Sequence, residues 1–192
     1  MVAFGDVDLA CFYLDESWAT VPDFQQKIMR QLQELVSRHP GYVANICAGG
    51  ITTIRYGASE LPYHGFCPSS PGDVCTFYDR LLVLGDANIY YTLVHELGHR
   101  LNWVNVPLFN AFVTTVLCQP GELSNCEPQL PSYACYHDGA SSTTEDFAET
   151  AAWYTQLVRY DNCPNVSCSC YNRLDDDYPL HYQFAVERIF NE

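Results

Sequence analysis

His95-Glu96-Leu97-Gly98-His99 is the stretch on which the reading of this chain turns. Two histidines four residues apart lie on one face of a helix and can reach a single metal ion. Glu96 sits beside them, placed to take a proton from a metal-activated water. Working outward at about 100° per residue, Tyr90, Leu93, Val94, Leu97 and Leu101 fall on one side of a helix over residues 88–102. His95, Glu96 and His99 fall on the other, with Thr92 next to them. The apolar stripe is expected to pack inward and the His/Glu face to turn toward a cleft. Gly98 costs about 1 kcal/mol against alanine in a helix interior, so something is expected to pack closely against it.

A catalytic zinc takes three protein ligands and leaves a fourth position for water, so one more ligand must come from elsewhere. Asn102 and Asn105 stand where the extended metzincin pattern requires Gly and His, and no GTxxxxYG-type segment supplies a deuterolysin-like aspartate. The best remaining source is Thr143-Thr144-Glu145-Asp146-Phe147-Ala148-Glu149. Glu145 and Glu149 share a helix face, so one can bind the metal while the other hydrogen-bonds a ligand histidine. Glu145 is favoured as the ligand, with Glu149 and Asp146 as alternatives. Ser142-x-x-Glu145 also reads as a capping box, in which the Glu145 carboxylate would only satisfy a backbone N–H.

His95-Glu96-x-x-His99 followed by Glu145-x-Phe147-Ala148-Glu149 resembles the zincin metallopeptidases with a glutamate ligand, closest to the group of anthrax lethal factor and the bacterial Pro-Pro endopeptidases. The resemblance covers about a fifth of the chain. It implies a zincin-like α+β fold, a zinc ion held by His95, His99 and Glu145, and Glu149 supporting the site. Those relatives place a tyrosine nearer the ligand glutamate than Tyr136 stands here, with Asp138 at the matching offset. Their cysteine content is also lower, which suggests a distant, secreted branch. The expected activity is that of a secreted zinc metalloendopeptidase acting on a peptide or protein substrate, with Glu96 as general base. Tyr136 and His137, and less strongly Tyr133, are the candidates for stabilising the oxyanion. The alternative is a disulfide-stapled secreted binding or effector protein on the same scaffold with weak or no proteolysis. A purely structural zinc site is disfavoured, since closed sites normally use four Cys and His ligands.

Composition sets the surroundings. At 192 residues the chain suits one domain with a sizeable core, read as an α+β part over about 1–104 and a mainly helical part over about 105–192. The formal charge is −14, with nine Lys plus Arg against 23 Asp plus Glu, which disfavours nucleic acid and anionic membrane as partners. A monomer is expected. Ten cysteines spread along the chain, with no paired zinc knuckles, read as up to five disulfides in an oxidising compartment. Asn165-Val166-Ser167 is an N-glycosylation sequon. Residues 1–11 show no basic start and no long apolar run, so a mature secreted chain without its leader is expected.

The remaining pattern fills in around the motif. Residues 22–38 read as an amphipathic helix, with Pro22 in its first turn and Pro40-Gly41 as its stop. The runs 42–47 and 51–56 read as a hairpin about Ala48-Gly49-Gly50. Residues 57–75, rich in Gly, Pro and Ser and holding Cys67 and Cys75, read as a stapled loop with the cysteine pairing undetermined, and 80–84 as a short buried strand. Helices are expected over 107–117, 145–160 and 181–190, with Phe147, Ala151, Tyr154 and Val158 facing the core. Cysteine-rich loops are expected over 118–136 and 163–170. Asp175-Asp176-Asp177 is expected to be solvated, with weak calcium binding as the lesser reading.

Overall fold

Phe24, Ile28, Leu32 and Leu35 recur at helical spacing, and in the computed structural model they are the buried stripe of a helix, α1 (Pro22–Arg38), with the expected bounds. The structure describes residues 9–58, 64–68, 73–117, 126–127, 130, 142–160 and 174–192. Val158 therefore falls where no side chain is described. The loops 118–136 and 163–170, apart from Cys126, Glu127 and Leu130, lie outside the described residues, as does the sequon.

The next segment differs from expectation. Residues 42–47 are not a strand; they belong to a second helix, α2 (Pro40–Cys47). Pro40, read as a stop, occupies a first-turn position whose φ it pre-sets. Tyr42, Val43 and Ile46 then bury one helical face, and the Tyr42 hydroxyl donates to the Val94 carbonyl at 2.8 Å. Gly41 is required by a close approach: a Cβ there would sit 1.7 Å from the Phe190 carbonyl oxygen. Tertiary packing overrides the β preference of a short Val/Ile/Tyr run.

With that run helical, the hairpin is replaced by a mixed sheet of four strands. They are β1 (Phe12–Leu14), β2 (Thr52–Gly57), β3 (Gly65–Phe66) and β4 (Val74–Tyr78), in the order β1-β2-β4-β3. β1 and β2 are parallel, as are β2 and β4, while β3 runs antiparallel to β4 on the edge. A parallel β1–β2 pair needs a long crossover, which α1 and α2 provide. Residues 80–84 are not a strand either. A 3-10 turn over Asp79–Val83 buries Leu81 and leaves Val83 exposed, and the strand lies just before it. An apolar run this short cannot distinguish a strand from a turn by periodicity.

Two disulfides tie the sheet down. Cys11–Cys47 joins the residue before β1 to the end of α2, and Cys67–Cys75 joins the edge strand to β4. Cys126 is disulfide-bonded as well. The bridges are compatible with an extracellular protein, and no helix among the described residues is long and apolar enough to cross a membrane.

The core lies between the sheet, α1 and α2 on one side and the later helices on the other. Its axis is α3 (Asp86–Val104), which carries the HExxH residues and packs most extensively on α5 (Thr143–Tyr160). Expected to pack one face inward and turn the other toward a cleft, α3 is covered nearly all round, Glu96, His99, Arg100 and Asn102 included. Gly98 supplies the close approach: a Cβ on it would lie 2.8 Å from Ala148 Cα. Phe147, Ala151 and Tyr154 of α5 face the core as expected. α4 (Val106–Thr115) buries Leu108 and Phe112. After α6 (Leu174–Asp177), α7 (Pro179–Phe184) runs into a π-helical turn over Ala185–Phe190, with Phe190 stacked on Tyr42. In α6, Asp176 and Asp177 are exposed.

Candidate metal centre

Close packing of α3 on α5 brings three side chains from distant parts of the chain together. His95 Nε2 lies 3.2 Å from His99 Nε2 and 3.3 Å from Glu145 Oε2, and His99 Nε2 lies 3.4 Å from Glu145 Oε1. These three residues could hold one metal ion. All three face a cleft of about 430 Å³, which is also lined by Glu96, Thr144 and the edge-strand residues Gly65, Phe66 and Cys67.

Of the alternative capping-box reading, only half forms. Ser142 Oγ accepts from the Glu145 amide at 3.3 Å and so caps α5. The Glu145 carboxylate turns instead to the imidazoles of His95 and His99. Asp146, the alternative ligand, is directed elsewhere. It is fully buried, accepts from the Leu130 amide at 2.7 Å and lies 3.2 Å from His181 Nε2. His181 in turn reaches Glu127 through Nδ1 at 2.6 Å, and Glu127 also accepts the Leu180 and His181 amides. The Glu127–His181–Asp146 chain ties α7 to the start of α5.

Glu149 stands behind the site. Its Oε1 is 3.5 Å from His95 Nδ1, the ring nitrogen turned away from the cleft, and its Oε2 accepts from the Tyr91 hydroxyl. At that distance Glu149 faces the ring as a charge partner and makes no hydrogen bond to Nδ1. Tyr91 was missed in the sequence, yet a signal was present: it stands four residues before His95, on the face that carries both histidines.

Glu96 is the most constrained member. Its Oε2 accepts from the Cys67 amide at 2.9 Å. Neither that donor nor Gly65, whose lack of a side chain makes room for Glu96, could be paired with the motif from spacing alone. Tyr133, Tyr136 and His137, the candidate oxyanion donors, lie outside the described residues.

Charge follows geometry. Burial alone would lower the His95 pKa, but Glu149, Glu145 and Glu96 outweigh it and raise it to about 9. Hydrogen bonds from His95 and His99 hold the Glu145 carboxyl well below the usual carboxylate range. Burial pushes the Glu96 carboxyl up, against the pull of His95, His99 and the Cys67 amide. A carboxyl raised above its ordinary range beside a trio of potential ligands is a candidate functional group.

Compared with known proteins, the chain matches no family model, no curated protein and no solved structure. The functional reading therefore stands on the site itself.

Proposed function

We propose that this protein is a secreted zinc-dependent metalloendopeptidase of zincin type. The observation that carries the reading is the spacing of the three donor side chains. Zinc bonds of about 2.0–2.1 Å in a tetrahedron place neighbouring ligand atoms about 3.3 Å apart. Here the three groups approach one another at 3.2, 3.3 and 3.4 Å, the two carboxylate distances falling on different oxygens of Glu145, and one ligand atom from each residue can be chosen with all three within 4.8 Å of one another. Two His, one Glu and an open side toward the cleft fit a catalytic site, since structural zinc is normally closed by four ligands.

When bound, zinc would supply Lewis acidity, polarising a peptide carbonyl and making water a stronger acid. The protein's own groups do the rest. Glu96, held at Oε2 by the Cys67 amide, takes the proton of the attacking water and passes it to the leaving amine. Glu149 and Tyr91 keep the His95 ring in place. β3 is an edge strand beside the cleft, and such an edge can pair with an extended peptide through main-chain hydrogen bonds. Disulfides in the sheet and the acidic surface suit the extracellular medium.

The test is digestion of a mixed peptide library read by mass spectrometry, with and without a chelator. Cleavage that is lost on chelation and restored by zinc is expected. Glu96→Gln should reduce kcat by about 10²–10⁴ while still binding one zinc per chain. A chain that binds zinc but cleaves nothing would overturn the enzyme reading and leave a binding protein on the same scaffold.

A further inference from the structure

β3 has only two residues, Gly65 and Phe66, paired with Phe77 and Thr76 of β4. So short an edge is marginal without added support. The support is covalent and immediate: Cys67, the next residue, is bridged to Cys75 in β4, and both are buried. Cys67 is also the residue whose amide donates to Glu96 Oε2. Two positions earlier, a Cβ on Gly65 would stand 2.8 Å from Glu96 Cγ, 3.2 Å from its Cδ and 3.1 Å from Phe77 Cδ1. The strand therefore meets Glu96 twice, with a donor at one residue and a bare backbone at the other. The disulfide fixes the height of both over α3.

We propose that Gly65 and the bridged Cys67 are positioning residues for the base: the stapled edge strand seats the Glu96 carboxylate and fixes Oε2, leaving Oε1 to take the proton. This rests on Glu96 acting as the base in the proposed hydrolysis. The strand acts on the stem and one oxygen of Glu96. Its loss is therefore expected to reduce turnover and leave the metal ligands of α3 and α5 where they are. A misplacement of about 1 Å in a catalytic group can cost about 10²-fold in rate.

Two readouts test this in the full chain. In the metal-free protein, hydrogen exchange at the amide of position 67 reports the bond to Glu96 directly. Glu96→Ala, which removes the acceptor, should speed it by about 10- to 100-fold. Gly65→Ala, which pushes the carboxylate off its seat, should speed it in the same direction. So should the paired Cys67→Ala/Cys75→Ala change, which keeps the amide and removes the staple. In the zinc-loaded protein, Gly65→Ala should lower kcat by about tenfold or more with KM and zinc content unchanged. Gly85→Ala is the control, because a Cβ there meets nothing within 4 Å.

Exchange at position 67 that ignores Glu96→Ala overturns the proposal. So does wild-type exchange together with wild-type kcat in Gly65→Ala, or a fall in kcat accompanied by loss of zinc. If the wild-type chain cleaves no peptide, the proteolytic reading fails, and the exchange arm still decides whether the strand seats Glu96.

Discussion

Gly98→Ala puts two effects of opposite sign in the same place. Alanine is the better helix former by about 1 kcal/mol. The added Cβ, however, would stand 2.8 Å from Ala148 Cα and 3.1 Å from Ala148 Cβ, where ordinary contact begins at 3.4 Å. Raising 2.8 Å to 3.4 Å is a retreat of about 0.6 Å, and the nearest atom is backbone, so α5 itself must move. Overpacking of this kind costs about 1–3 kcal/mol, which cancels or exceeds the propensity gain. The expected net change is a loss of up to about 2 kcal/mol, which lowers the Tm of the metal-free protein by up to about 8 °C for a chain of this size. The larger effect falls on the site. Glu145 lies three residues before Ala148 and Glu149 directly after it, so both carboxylates move with that backbone. Ligand distances hold to within about 0.2 Å in a competent site, a third of the retreat required. Zinc affinity should therefore fall by about 10- to 100-fold, the range seen when the groups around a ligand histidine are disturbed. Competition titration against a chelating dye measures the affinity, and calorimetry measures the Tm. A variant that binds zinc as tightly as the wild type and melts about 2–4 °C higher would refute the reasoning, because propensity alone would then be acting.

Four further outcomes follow from the same structure. The His95 pKa is raised to about 9, so its contribution to the stability of the metal-free protein is complete below its ordinary value near 6.5 and is lost as pH rises through about 9. The Glu145 pKa is depressed, so its contribution is present above 4.5 and lost as pH falls toward its folded value. Metal-free stability, followed by denaturant titration across pH, should be greatest between these limits. Zinc must displace the His95 proton, so its affinity should climb through pH 6.5–9 and level off above; a flat profile would contradict the assignment. Saturating zinc at about 100 times its Kd should add about 2.7 kcal/mol, or about 5–11 °C in Tm, and this gain should vanish in Glu145→Ala if that variant no longer binds. Asp146→Ala leaves His181 buried against Glu127 with its second partner gone. By leaving the buried Leu130 amide without its acceptor it should cost about 1–3 kcal/mol in chemical denaturation; a near-neutral result would show that the Glu127–His181–Asp146 chain does not secure α5.

The amino-acid sequence by itself determined the elements whose periodicity is long and capped. α1 has the bounds its apolar spacing and Pro22 dictate, and α3 and α5 differ from expectation by about two residues at their ends. The His95/Glu96/His99 set was legible because a helix converts a spacing of four into a shared face. Gly98 announced a close neighbour because nothing else excuses a glycine in mid-helix. Glu145 was found by the demand for a third ligand. Only packing shows which way its carboxylate turns, toward His95 and His99, since a capping box and a metal ligand use the same residue at the same spacing. The short runs 42–47 and 80–84 were beyond periodicity: five or six apolar residues fit either structure until it is known what they pack against. The same holds for the Cys67 amide, the room at Gly65 and the Glu127–His181–Asp146 chain. Each joins residues 29 to 54 positions apart through backbone groups or buried polar side chains, and such pairings acquire definite partners only once the helices and the sheet edge are in place.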